Sequence, residues 1–281
     1  MALGRMHFPN DHITGDRIKM GCDVKFEVGH NPSHLRMVAV ARRIFCKTDY
    51  LMDVFDVLRD REAPCVLITH NSDHPVTERL WVKKPPQIVK WFAINTEIRE
   101  PTLIPIPLGC ENIRSPGYSG NMMVLERLLA RKPPKENLAF INFNIKTCPD
   151  EREPVMELFS GQPWVTSLGY GLKFEQCMMA IRNHKFVFCP RGHGQDTHRL
   201  WESLYLGAIP IVKRSLHMEA FAELPILLVN RWSDVTRDLL EHTWEDYSHR
   251  TWNMEKACVM YWKRRIKDGD GILLKDRKHH A

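Results

Sequence analysis

Residues Phe186–Val212, FVFCPRGHGQDTHRLWESLYLGAIPIV, constrain the fold of this chain more than any other stretch. Phe186-Val187-Phe188-Cys189 is a short unbroken apolar run, the pattern of a strand buried on both faces of a parallel sheet. Pro190-Arg191-Gly192-His193-Gly194 interrupts it as a turn. Asp196 or Thr197 is placed to cap a helix over 199–206, and Gly207 suits its C′ position. Ile209-Pro210-Ile211-Val212 supplies the next strand, with Pro210 near its start. A strand–loop–helix–strand unit of this kind implies an α/β fold, with the loop at the carboxyl edge of the sheet.

Ligands of open α/β sheets bind at that edge, and a helix N-terminus there favours anions. Arg191, His198 and Arg199 bring donors to the corner, and Gly192 and Gly194 permit close backbone approach. Arg199 and Glu202 are three residues apart and share a helix face. That pair suits a nucleoside diphosphate, with arginine on phosphate and glutamate on ribose hydroxyls. A tight loop with a surface Arg–Glu pair would use the same residues. The clustering of polar types at one functional edge favours the ligand.

The rest of the chain repeats strand, polar tip and helix, the rhythm of an α/β protein. Strands are expected over 23–28, 64–69, 89–95, 102–109, 137–144 and 221–229. Helices are expected over 33–41, 49–59, 122–130, 150–158 and 174–184, with two more across 234–266. Residues 1–20, with His7, Asn10, Asp11, His12 and Asp16, look like a surface arm. Turns or loops are expected at 30–33, 115–120 and 132–135, and a disordered tail at 275–281. The strand at 64–69 runs into His70-Asn71-Ser72-Asp73-His74, a second candidate site. It can equally be an Asx-turn, in which Asn71 or Asp73 bonds nearby backbone. Asn95 and Glu111 stand at the ends of other strands.

A chain of 281 residues, 43% hydrophobic and 26% charged, describes an ordinary globular protein. A net charge of +6 fits a phosphate-bearing substrate. No basic run or aromatic signature supports nucleic-acid binding. The eight cysteines are scattered through apolar segments and suggest buried thiols, not disulfides or zinc. No signal peptide and no membrane span are expected, so the protein should be soluble and cytoplasmic.

The segment PRGHGQDTHRLWESLYLGAIPIV resembles the donor-site segment of exostosin-like glycosyltransferases. Trp91-Phe92-Ala93-Ile94-Asn95 and Ile106-Pro107-Leu108-Gly109 resemble two further blocks of that family. Asn142-Phe143-Asn144 followed by Arg152 resembles the first β-α unit of its donor domain, and His70-Asn71-Ser72-Asp73 resembles its acceptor-side loop. A more distant likeness is to fucosyltransferases, where an acid–base pair precedes Leu-Trp; here the pair is His198-Arg199.

The resemblance implies a GT-B fold, two Rossmann-like domains with a nucleotide-sugar cleft between them. They would span 1–131 and 132–281, with closing helices at about 234–266 packing back on the first. It implies inverting transfer of a sugar from a nucleoside diphosphate donor, UDP-xylose as first candidate, to a glycan hydroxyl, a fucose as first candidate. Donor binding would fall to Asn142, Asn144, Arg152, Arg191, Gly192, Gly194, Asp196, Thr197, His198, Arg199 and Glu202. Asp73 is the first choice of general base, with His70 and His74 as alternatives, and His70 and Asn95 would face the acceptor. No metal or other cofactor is expected, and the oligosaccharide acceptor is the macromolecular partner. A non-catalytic nucleotide- or carbohydrate-binding module of the same fold is the rival reading.

Overall fold

The computed structural model describes residues 11–29, 32–112, 119–130, 134–169 and 171–276. The expected features at His7, Asn10, His30, Asn31, 115–118 and 277–281 lie outside these. In chain order the first elements are α1 (Gly15–Lys19), β1 (Val24–Phe26), α2 (Pro32–Val38), β2 (Arg43–Lys47), α3 (Leu51–Arg59), β3 (Cys65–His70), α4 (Glu78–Trp81), β4 (Ile88–Ala93) and β5 (Leu103–Pro105). Then come α5 (Ser119–Leu129), β6 (Asn137–Ile141), α6 (Pro149–Phe159), β7 (Val165–Ser167), α7 (Phe174–Asn183), β8 (His184–Phe188), α8 (His198–Tyr205), β9 (Ile209–Lys213), α9 (Leu216–Glu219), β10 (Leu227–Val229), α10 (Arg237–His249) and α11 (Val259–Asp276).

The chain forms two α/β units, each built on a five-stranded parallel sheet. The first unit takes 13–108 and the segment from Cys258 onward; the second takes His12 and Gly109–Ala257. The strands of the first unit run β1-β2-β3-β4-β5, in sequence order without reversal. Right-handed crossovers that always step the same way put every connection on one face. There α2 and α3 bury Val38, Val54, Phe55 and Leu58 against Cys46, Leu67 and Trp91. Alternate strand residues, Phe45, Val66, Ile68 and Phe92, are also fully buried, and by strand alternation they point to the other face. That face is covered by α11, whose Gly269 comes so close that a Cβ would stand 3.4 Å from Lys90, 3.5 Å from Val66 and 3.7 Å from Phe92. Trp262 and Ile266 of α11 are buried as well.

The second sheet has the order β10-β9-β8-β6-β7. The chain steps outward from β6 to β7, then crosses back to β8 and continues the other way. Counted within the unit this is the 2-1-3-4-5 order, whose switch point lies between the carboxyl ends of its first and third strands, here β6 and β8. Its core joins Phe186, Phe188, Ile209 and Ile211 to Phe159, Trp232 and Leu240.

Several sequence expectations are corrected. The division falls at Leu108/Gly109, not 131/132, because α5 belongs with the second sheet: Leu125 and Leu128 are buried and Arg127 pairs with Glu175 of α7. The two closing helices part company. Leu240 of α10 sits in the second core with Trp244 and Tyr247 beside it, and only α11 returns to the first sheet. Residues 11–20 are no surface arm, since His12, Ile13 and Thr14 are fully buried and Thr14 Oγ1 accepts from Arg17 N to cap α1. The strand expected over 221–229 is only Leu227–Val229, preceded by the short helix α9. Among the described residues no helix is long and apolar enough to cross a membrane.

Candidate functional site

The switch point of the second unit gathers most of the expected donor-site residues. The loop after β6 carries Asn142, Phe143 and Asn144; the loop after β8 carries 189–197 and leads into α8. Two arginines join these segments through the main chain. Arg199 Nη1 donates to the carbonyl of Asn142 at 2.6 Å, and its Nε donates to Glu202 Oε2 at 3.2 Å. Glu202 is largely buried (6% exposed), so this ion pair stands at the rim of the core rather than loose in solvent. The i,i+3 spacing on α8 produces the pair, as the sequence implies.

Arg152 departs from its expected role. Its Nε donates to the carbonyl of Arg191 at 2.8 Å, Nη1 to that of Asn144 at 2.7 Å, and Nη2 to that of Pro190 at 3.2 Å. Its guanidinium also lies 5.3 Å from the centre of the Phe143 ring, and the residue is 8% exposed. The planar fork of donors is spent on three carbonyls from the two loops. Arg152 therefore clamps the loops instead of reaching toward an anion. A Cβ at Gly192 would stand 3.1 Å from Arg152 Nη2, so Gly192 is where the clamp demands a bare backbone. Gly192 N also donates to the Gly194 carbonyl at 3.1 Å, closing the turn.

Asp196 is likewise turned inward, at 3% exposure. Its oxygens accept from Trp201 Nε1 at 2.8 and 2.9 Å and from Thr197 N at 2.7 Å, and His217 Nε2 stands 3.7 Å away. Asp196 thus anchors the start of α8 to the core and offers nothing to a ligand. Thr197 occupies the N-cap position, but its hydroxyl makes no cap hydrogen bond. Arg191 is exposed, with Nη2 reaching the His193 carbonyl at 3.3 Å. His198 Nδ1 lies 2.7 Å from the Gly109 carbonyl.

Beside this corner is a cavity of about 320 Å³, lined on its apolar side by Ile141, Phe143, Ile145 and Met156, and reached by Asn144 and Ser167. Asn142 braces it: Nδ2 donates to the Gly169 carbonyl at 2.5 Å, and Oδ1 accepts from Cys177 Sγ at 3.7 Å. Asn144 Oδ1 accepts from Lys146 N at 3.1 Å and caps the short turn behind it. The sequence reading contained the Asn-x-Asn segment but no sign of Ile145 and Met156, whose side chains meet it only in the folded unit.

At the carboxyl edge of the first sheet, His70 and Asn95 are 1% and 2% exposed. His70 Nε2 is 3.1 Å from the Pro107 carbonyl, and its ring stacks on Phe45 with centroids 6.3 Å apart. Asn95 Nδ2 donates to the Ser72 carbonyl at 3.4 Å. Both residues hold the loop from within, which corrects their expected contact with an acceptor. Asn71 and Asn95 adopt left-handed φ angles of 57° and 53°, a conformation asparagine tolerates better than most residues. Asp73 and His74 are exposed at the tip of this loop. Among the described residues no group of His, Cys, Asp or Glu is arranged to hold a metal ion. No protein-family model matches the chain, and no curated protein sequence matches it.

Proposed function

We propose that the chain is a glycosyltransferase of the exostosin-like kind, with its two α/β units in a GT-B arrangement. The observation that carries this reading is the Arg199–Glu202 pair at the first turn of α8, beside an apolar cavity at a sheet switch point. The cavity lies at the small end of the range for ligand pockets. It accepts the flat base of a nucleotide against Phe143, Glu202 accepts from ribose hydroxyls, and the diphosphate sits at the α8 N-terminus with Arg199 and Arg191. Arg152 preserves the shape of both loops without touching the ligand.

In this reading the acceptor hydroxyl attacks the anomeric carbon, the bond to the diphosphate breaks, and a base removes the hydroxyl proton. Asp73 takes that role, since it is the exposed carboxylate in a loop held by the buried His70 and Asn95. UDP-xylose is the first donor to test and a fucose-bearing glycan the first acceptor.

Calorimetric titration with UDP, GDP, CMP and ADP, followed by their sugar conjugates, tests the reading. Binding of one nucleotide that is weakened by Glu202→Ala supports it; a folded sample that binds none sinks it. Donor binding without sugar transfer, and indifference to Asp73→Ala, would instead favour a non-catalytic nucleotide-binding module.

A further inference from the structure

Among the described residues, Asn71 and Asn95 are the two non-glycine positions with left-handed φ, and both serve one loop. Asn95 Nδ2 holds the Ser72 carbonyl, while its own carbonyl accepts from Val76 N at 3.0 Å beyond the tip. The Ser72 hydroxyl accepts from His74 N at 3.2 Å. Asp73 stands exposed between these fixed points. Left-handed backbone at a non-glycine residue persists where the surroundings over-determine it, and such positions gather at functional sites.

The surroundings of Asn71 are drawn from far along the chain. Its main-chain N donates to His70 Nδ1 at 2.8 Å. His70 Nε2 faces the Pro107 carbonyl, so the ring hydrogen is on Nε2 and Nδ1 is the acceptor. Asn71 Nδ2 donates to Glu27 Oε1, just past β1, at 2.8 Å. Glu27 Oε2 is gripped in turn by Lys19 Nζ at 2.7 Å, and Lys19 also reaches Asp16 at 2.6 Å. Gly15, at the start of α1, comes so near that a Cβ there would overlap Asn71 Oδ1 and stand 2.7 Å from His70 Nδ1. Three segments, α1, the end of β1 and the end of β3, thus meet at one amide.

We propose that Asn71 is the positioning residue for Asp73: its amide fixes the direction in which the chain leaves β3, and with it the place of the carboxylate that takes the acceptor proton. This rests on the role of Asp73 in the proposed function. Asn71 acts through Asp73 and takes no proton itself. A carboxylate at an exposed loop tip would otherwise have backbone as well as rotamer freedom to lose. With the backbone already set, only the side chain has to settle. A displacement of about 1 Å at such a base costs on the order of a hundredfold in rate.

The test is steady-state transfer from UDP-xylose to a methyl fucoside by the wild type, Asn71→Gly, Asp73→Asn and the double variant. Glycine keeps the left-handed backbone and removes only the amide. Asn71→Gly should lower kcat by about tenfold or more, with KM for the fucoside and calorimetric affinity for UDP little changed. In the Asp73→Asn background the same substitution should cost no further kcat, since a base that is gone cannot be misplaced. An equal loss in both backgrounds marks a general structural effect and overturns the proposal while leaving the base standing, as does full activity of Asn71→Gly. A wild type that transfers no xylose, or an Asp73→Asn variant as fast as the wild type, removes the base and the proposal together. Should Asn71→Gly not fold, Glu27→Ala replaces it, because it strips Asn71 Nδ2 of its acceptor and leaves the loop sequence intact. The same cycle with Asp73→Asn then decides.

Discussion

Arg152 donates its Nε–H to the main-chain carbonyl of Arg191, 2.8 Å away, so one arginine fixes the backbone from which the other projects. The buried guanidinium does not have the freedom of a ligand-seeking side chain. Burial works against its charge and Arg199 adds repulsion. What compensates is the set of carbonyl dipoles it gathers.

Replacing Arg152 by methionine should therefore destabilise the chain by about 3 kcal/mol, as charged hydrogen bonds to three carbonyls are lost. Arg152→Lys should recover only part of this, since one ammonium cannot span the fork. Urea denaturation measures both. A lysine variant as stable as the wild type would refute the clamp.

Filling the cavity separates ligand binding from stability. Ile145→Trp should weaken nucleotide binding by about tenfold or more, equivalent to roughly 1.4 kcal/mol, while the thermal midpoint moves little. Calorimetry beside a melting curve reads the two effects. Unchanged affinity would place the base elsewhere.

Asp196 illustrates a buried carboxylate whose loss strands its partners. Asp196→Ala leaves Trp201 Nε1 and Thr197 N without their acceptor, and His217 without its carboxylate. A cost of about 3–5 kcal/mol is expected, as for other broken buried pairs. Asp196→Asn, which keeps one acceptor oxygen, should cost less. Tryptophan fluorescence during denaturation follows both variants, and the reverse ranking would contradict the network.

Lys135 gives a pH signature. Its Nζ donates to the carbonyls of Arg182 and Leu206 at 2.8 and 3.1 Å. Burial, with Arg182 adding to it, lowers its pKa from 10.5 to about 7. Between those values the unfolded chain binds more protons than the folded one, so this residue's contribution to stability rises with pH across that window. Below pH 7 both states are charged and its penalty is constant. The chain's stability should thus gain from this source between pH 7 and 9, and Lys135→Met should remove that gain. Denaturation midpoints of the two proteins at both pH values provide the comparison.

Features legible in the sequence were those decided within a few residues. The unbroken run Phe186–Cys189, the Arg199–Glu202 spacing and Gly207 as a left-handed helix terminator (φ 73°) all follow from local pattern. Arg152 and Asp196 were legible only as polar residues near the site. Their partners lie across the fold, at Pro190 and Arg191 for one and His217 for the other. His70 and Asn95 look like exposed strand tips until the loop folds over them. β2 carries little signal of its own, because Ile44-Phe45-Cys46 is a short apolar run between Arg43 and Lys47. The boundary at 108/109 was hidden because α5 declares its allegiance through a helix far along the chain.

The one-way strand order of the first sheet has a consequence for synthesis. Residues 13–108 emerge from a ribosome with every strand of that sheet but without Trp262 and Ile266 to cover its second face. The whole of 109–257 can be made, and can assemble its own core, while the earlier sheet still waits. The first-made unit is thus the last to be completed. A nascent chain halted at 257 should expose Phe45, Val66, Ile68 and Phe92 to chaperones and proteases.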